Sequence, residues 1–145
     1  MKKFDILSAI LTALEGVTVA NGYQTDIGEN ATYAQDTNHE YDTAGVDFRD
    51  TSCEVVEVNQ YHEYALGLEV QAITFGEDLL ELGCQLEQDL IQAIGADPTW
   101  DALALKTEFA QEGAIVKDWQ TAGKKAVSLT LNLLVTFRTE KWTTA

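Results

Sequence analysis

The feature that most constrains this chain is a change of hydrophobic period within residues 64–94, on either side of Gly76. Before Gly76, apolar and polar residues alternate, as they do in a strand with one buried face. After it, leucines recur at helical spacing, the acidic pair Glu77 and Asp78 suits a helix N-terminus, and Gly95 suits a C-cap. We therefore predict a strand that leads directly into a helix. The buried strand face should contain Tyr64, Leu66, Leu68, Val70 and Ala72, and the helix stripe Leu79, Leu82, Leu86, Leu90, Ala93 and Ile94, widened by Leu80 and Ile91.

Patterns elsewhere predict a second helix and further strands. Residues 4–14 are amphipathic at helical spacing, whereas residues 17–35 contain Val, Thr and Tyr broken by turn residues, which favours two short strands. Residues 53–58 should form a hairpin with the strand before Gly76, and residues 127–137 alternate most regularly of all. A chain of 145 residues suits one domain, 1–145. We predict an α+β fold, with an antiparallel-rich or mixed β-sheet and two α-helices packed on one face. The core should include Leu68, Leu86, Leu90, Leu131 and Leu133.

The charge is strongly negative, with 24 acidic and 9 basic residues and a formal net charge of −15. Proteins that hold nucleic acids present basic surfaces, so this balance argues against DNA or RNA binding and against anionic membranes. It suits either simple solubility or a surface that lies near DNA without binding it. No run of about 18 apolar residues suggests a membrane span, and polar residues interrupt the first apolar stretch as they would not in a secretion signal. We expect a protein made in a cytoplasm.

The acid-rich segment 35–50 predicts a long exposed loop. Oxygen ligands alternate in it as in a calcium-binding loop, at Asp36, Asn38, Glu40 and Asp42, with Asp47 at the twelfth position. Tyr41 stands where such a loop needs glycine, Asp47 replaces the usual glutamate, and no helices flank the segment. A solvated loop is therefore favoured over a calcium site.

A search for catalytic patterns gives little. Cys53 and Cys84 lie far apart, which suits reduced core thiols, and a zinc site that joins them to His39 and His62 requires the fold to bring all four together. Adjacent residues on a strand point to opposite faces, so His62 and Glu63 do not form an acid–base pair. Phosphate-binding and nucleophile motifs are absent from the sequence. We predict no catalytic residue, no metal and no cofactor, and therefore no enzyme, although a site built from carboxylates alone stays open.

The order of segments resembles the tail terminator family of long-tailed bacteriophages. The resemblance rests on an N-terminal helix, GYQTDIG, the acidic loop, YALGLEVQAITFG, LLELGCQLEQDLIQAI, DPTWDALAL, and a last strand that closes on TFRTEKW. It implies a homohexameric ring that caps the tail tube, terminates its polymerisation and docks to the head connector. The implied partners are other copies of the chain, the tail tube protein and the head completion protein, with genomic DNA passing through without specific binding. The implied location is the neck of the virion, after synthesis in the bacterial cytoplasm.

Within such a ring, strand edges and helix flanks should join the subunits, and loops should reach the next ring. Trp142 lies beyond the last strand, and we predict that it makes assembly contacts together with residues of the acidic loop: Asp36, His39, Glu40 and Asp42. Alternatively, Trp142 covers only the rim of its own core, and the loop is only solvated. The alternative function is a small cytoplasmic ligand-binding module, or a carboxylate-based hydrolase, with a pocket between sheet and helices.

Overall fold

A computed structural model describes residues 1–35 and 43–142 of the chain. The described part contains two α-helices, six strands and two 3-10 helices, Val19–Asn21 and Ile27–Asn30. The helices are α1 (Lys2–Glu15) and α2 (Leu79–Gly95). The strands are β1 (Ala31–Tyr33), β2 (Gly45–Val58), β3 (Tyr61–Phe75), β4 (Lys106–Phe109), β5 (Ile115–Gln120) and β6 (Ala126–Glu140).

The strands form one sheet in the order β1, β2, β3, β6, with β4 and β5 both paired along the outer side of β6. The pair β1–β2 is parallel and the other pairs are antiparallel. The predicted α+β fold with an antiparallel-rich, mixed sheet is therefore confirmed. The hairpin through Asn59 and Gln60 is also present, because β2 and β3 pair up to Val58 and Tyr61.

The core lies between the two helices and one face of the sheet, here called the helix face. Strands β3 and β6 contribute alternate residues to it, as their hydrophobic periods predict. The helices meet them with Ile6, Ile10 and Leu14 of α1 and with the leucine stripe of α2. None of the five predicted core leucines exceeds 4% exposure: Leu68, Leu86, Leu90, Leu131 and Leu133.

The prediction of two short strands in residues 17–35 is wrong for most of that segment. It forms the two 3-10 helices, and only Ala31–Tyr33 is a strand. Side-chain oxygens accept hydrogen bonds from its backbone: Asp26 accepts from the N–H of Val19 at 2.8 Å, and Asp89 of α2 accepts from the N–H of Thr25 at 2.8 Å. Such local and long-range side-chain bonds offer the backbone an alternative to strand pairing.

The prediction of a loop over 35–50 is wrong for its last six residues, because β2 begins at Gly45 and continues without a break in the strand to Val58. Asp47, which matched the last position of a calcium loop, is a buried strand residue. Its carboxylate accepts hydrogen bonds from the Thr32 hydroxyl at 2.6 Å and the Gln35 N–H at 3.0 Å. These bonds already occupy the carboxylate that a calcium loop would have needed.

Three predictions about α2 and the cysteines are corrected. Leu80 and Ile91 do not widen the core stripe but are 80% and 41% exposed, on a flank of α2 that the sheet does not cover. Cys84 shares that flank, and Cys53 lies in the exposed half of β2, so neither thiol is in the core. Gly95 is the last residue of the helix rather than its cap, which is Ala96.

Candidate assembly surfaces

The predicted contact residue Trp142 lies two residues beyond the end of β6 and is 84% exposed. One edge of its ring packs against the buried His62 of β3, with 4.8 Å between ring centroids and planes at 87°. It therefore covers part of its own hairpin and still presents most of its surface outward. The other predicted contact residues, Asp36, His39, Glu40 and Asp42, lie outside the described residues.

One side of the sheet ends in a strand edge, residues 51–58, here called the β2 edge. Strand β1 pairs only with residues 46–48, and the register of β2 shifts between Asp50 and Ser52. Beyond that bulge β2 is exposed on both faces, with Val55 and Val56 at 50% and 55% exposure. Within the part of the chain that the structure describes, no strand pairs with the outer side of the β2 edge.

The other side of the sheet ends in β4 and β5, here called the β4–β5 edge. It also exposes apolar side chains, among them Phe109, Ile115, Val116 and Trp119. A small cavity of about 140 Å³ separates β4 from α2 and is lined mainly by apolar groups, including Ile91, Ile94, Phe109, Leu131 and Leu133. The exposed flank of α2 thus continues the apolar surface of this edge.

An apolar groove of about 370 Å³, here called the α1 groove, lies beside β1, on the same side of the sheet as the β2 edge. Its walls come from α1 and from the aromatic pair Tyr33 and Phe48, whose rings meet edge to face at 5.2 Å. The most exposed of the lining residues is Phe4 of α1. The lining consists of Phe4, Leu7, Ser8, Leu11, Tyr33 and Phe48.

Tyr33, Asp50 and Lys3 form a polar triad beside this groove. The Tyr33 hydroxyl donates a hydrogen bond to Asp50, and the Lys3 ammonium lies 3.1 Å from the same carboxylate. The bond to Asp50 raises the pKa of Tyr33, with burial adding to the effect. Burial by itself would raise the pKa of Asp50, but the hydrogen bonds from Tyr33 and Lys3 outweigh it and lower that pKa.

The basic residues are all engaged within the chain. Of the nine, Lys2 donates to the carbonyl of Arg138, Lys124 lies over the ring of Phe75, and seven contact carboxylates. The seven pairs are Lys3–Asp50, Arg49–Asp47, Lys106–Glu108, Lys117–Glu87, Lys125–Glu77, Arg138–Glu63 and Lys141–Glu57. The surface charge that remains is an excess of carboxylates.

Over residues 1–35 and 43–142, no three His, Cys, Asp or Glu side chains are arranged to hold a metal ion. Of the four residues considered for a zinc site, Cys53 lies in β2 and Cys84 in α2, and His39 lies outside the described residues. In the same ranges, none of the helices has both the length and the apolar character needed to cross a bilayer.

The sequence analysis did not identify the residues that form either strand edge. The signal was present in the stretch CEVVEV, where two adjacent valines break the alternation that marks a strand with one buried face. No known protein-family model matches the chain, and no curated protein matches it in sequence.

Proposed function

We propose that this chain is a structural protein of a bacteriophage tail, a terminator that forms a ring on the end of the tail tube. The ring, a homohexamer, would stop polymerisation of the tube and dock to the head connector. The proposal combines the resemblance in segment order with one structural observation. That observation is the pair of unlike, partly apolar edges on opposite sides of a single sheet.

Two unlike edges favour head-to-tail association over a two-fold dimer. In a two-fold dimer the same patch contacts itself, whereas a head-to-tail contact joins different patches and leaves one of each free for the next copy. Such contacts close into a ring of n copies when the rotation between neighbours is one n-th of a full turn; otherwise they form an open filament. The α1 groove and the β2 edge lie on one side, and the β4–β5 edge with the α2 flank on the other.

The charge also suits this role. Six copies would carry 6 × (−15) = −90 formal charges. Since the basic residues are engaged within the subunit, a lumen built from this chain would repel duplex DNA and let it pass. Trp142 is exposed enough to contact a tube subunit or a neighbour in the ring.

The proposal is tested by measuring molar mass at several protein concentrations, with negative-stain images of the same samples. We expect rings of six subunits, alone or after addition of tail tubes, and tubes capped by them. Trp142→Ala should weaken ring formation or tube attachment while the subunit stays folded. Val19→Ala, which removes an exposed apolar side chain that lies outside both sheet edges and the α2 flank, distinguishes a specific effect from a general loss of apolar surface.

A monomer at every concentration that neither assembles nor caps tubes would reject the proposal. If the same monomer bound a small apolar molecule in the α1 groove, it would favour the ligand-binding alternative.

A further inference from the structure

We infer that neighbouring copies join by strand addition, with the β2 edge of one copy pairing with β4 of the next. This inference rests on the proposed ring and names its interface. It follows from the unpaired strand edge, from the direction of the strands and from the side chains that the two edges expose.

The β2 edge offers backbone hydrogen-bonding groups with which another strand can pair. An exposed strand edge presents a row of backbone N–H and C=O groups and acts as a template for a further strand. Proteins commonly protect such edges with lysine, proline or a covering segment. Residues 51–58 contain no lysine or proline, and between the charged residues Glu54 and Glu57 they carry the two half-exposed valines Val55 and Val56.

The strand directions allow β4 of a second copy to pair with the β2 edge. β2 is antiparallel to β3, β3 to β6, and β6 to β4, so β4 runs opposite to β2. A second copy in the same orientation therefore brings its β4 antiparallel to the β2 edge. Each copy then uses two different edges, which is the condition for a ring rather than a closed pair.

The two edges also lie at the same level of the sheet. Residues 52–58 of β2 pair with residues 67–61 of β3, which pair in turn with residues 134–140 of β6. β4 pairs with residues 136–133 of β6, whereas β5 pairs with residues 131–126 at the far end. Joining the β2 edge to β4 thus needs only a small shift along the strands, of the kind that closed sheets require.

The exposed side chains match across the same two faces. Val55 lies opposite Tyr64 and Phe109 opposite Leu133, so both belong to the helix face. Level with Val55 across β3 and β6 is Leu105, just before β4, which is 51% exposed, and contact between Val55 and Leu105 would bury apolar surface on both sides. On the other face, Glu54 of the β2 edge shares its side with Lys106 of β4, which brings opposite charges to the interface.

Cysteine cross-linking tests the pairing directly, because Cys53 is an exposed native thiol on the β2 edge. In a Cys84→Ser background, each β4 residue is replaced in turn: Lys106→Cys, Thr107→Cys, Glu108→Cys and Phe109→Cys. Paired strands bring Cα atoms within the roughly 4.4–6.8 Å that a disulfide spans. We expect at least one variant to give, on mild oxidation, a ladder of covalent oligomers beyond the dimer. Asp118→Cys is the control, because it lies on β5, at the other end of the same sheet edge from β4. Replacing Cys53 by serine should abolish the ladder.

The outcomes separate this inference from the proposed function. Rings without a cross-link from any β4 position, or an equal ladder from Asp118→Cys, would overturn the strand pairing and leave the ring proposal standing. Cys53–Cys53 dimers in the Cys84→Ser protein would overturn it in favour of self-pairing of the β2 edge. Absence of rings and of tube capping would reject the proposed function itself, and the inference with it.

A charge substitution gives an independent test. Val55→Lys should raise the concentration needed for half-assembly by at least about tenfold, because it puts a charge into the apolar contact. The melting temperature of the subunit should stay unchanged. Val19→Lys is the matched control, since Val19 has 56% exposure and lies outside the sheet edges. Equal assembly of the Val55 and Val19 variants would overturn the inference.

Discussion

Asp89 of α2 and Thr25 are joined by two hydrogen bonds, although 64 positions separate them in the chain. One Asp89 oxygen accepts from the backbone N–H of Thr25 at 2.8 Å and from its hydroxyl at 2.6 Å. The other oxygen accepts from the N–H of Gln24 at 2.9 Å. The carboxylate is fully buried and holds the connection between α1 and β1 against α2.

Asp89→Ala should therefore destabilise the subunit by about 3 kcal/mol, because it leaves buried donors without an acceptor. Urea unfolding measures the change. Asp118→Ala, at an exposed strand position, should shift stability by less than about 0.5 kcal/mol. Equal losses in the two variants would show that the Asp89 bonds contribute nothing specific.

The turn after α2 offers a substitution that should stabilise the protein. Trp100, Asp101 and Ala102 have φ angles of 52°, 59° and 62°, which form a left-handed run of three non-glycine residues. Each such residue costs roughly 1–2 kcal/mol relative to right-handed backbone. Trp100 is held there by burial and by its indole N–H bond to Thr107 at 2.9 Å, whereas Ala102 is exposed.

Ala102→Gly should raise the stability by about 1 kcal/mol, since glycine adopts positive φ without a steric penalty and the gain exceeds its extra unfolded-state entropy. The change is read from the urea midpoint. Ala122→Gly is the control, because Ala122 is exposed in a turn and its φ is not positive. A midpoint that falls in the Ala102 variant would contradict the prediction.

The Tyr33–Asp50 bond should make a pH-dependent contribution to stability. The folded state lowers the pKa of Asp50, so its contribution is present above the unfolded value of about 3.9 and is lost as the pH falls through the folded value. The pKa of Tyr33 is raised, so its contribution is present below about 10 and is lost at higher pH.

Tyr33→Phe should consequently be less stable than the parent near neutral pH, and the difference should shrink as the pH falls below about 3.9 and through the lowered pKa of Asp50. Denaturant unfolding at a series of pH values measures it. Tyr61→Phe, at another partly exposed tyrosine, serves as the control. A stability difference that stays constant from neutral to acidic pH would refute the role of the Asp50 carboxylate.

The purified protein should show no measurable affinity for duplex DNA at about 50–200 mM salt, because binding would need basic residues that release counterions. Its oligomeric fraction should rise, or at least not fall, as salt increases. At physiological ionic strength the Debye length is about 8 Å, so repulsion between carboxylates of neighbouring copies is screened. Titration of labelled duplex DNA and molar-mass measurements across the salt series test both parts. Tight, salt-sensitive DNA binding would contradict the idea of a repelling lumen.

The sequence by itself determined the central elements of the fold. The change of period at Gly76 predicted β3 and α2, and the alternation in residues 127–137 predicted β6 and its buried face. These predictions held because burial of one face imposes its period directly on the residues of the element. The five core leucines follow from the same periodicity.

Only the tertiary structure decided the conformation of residues 17–30 and the location of the surfaces offered for assembly. The 3-10 helices depend on Asp89, and on the close approach of Gly28 to α1, where a Cβ would lie 2.5 Å from the carbonyl oxygen of Leu14. Val55 is exposed because β1 pairs only with residues 46–48 and leaves the β2 edge uncovered. Phe109 is exposed because β4 lies at the opposite edge of the sheet. Which residues end up at an edge depends on which strands pair, and those partners lie tens of residues away in the chain, beyond the reach of local periodicity.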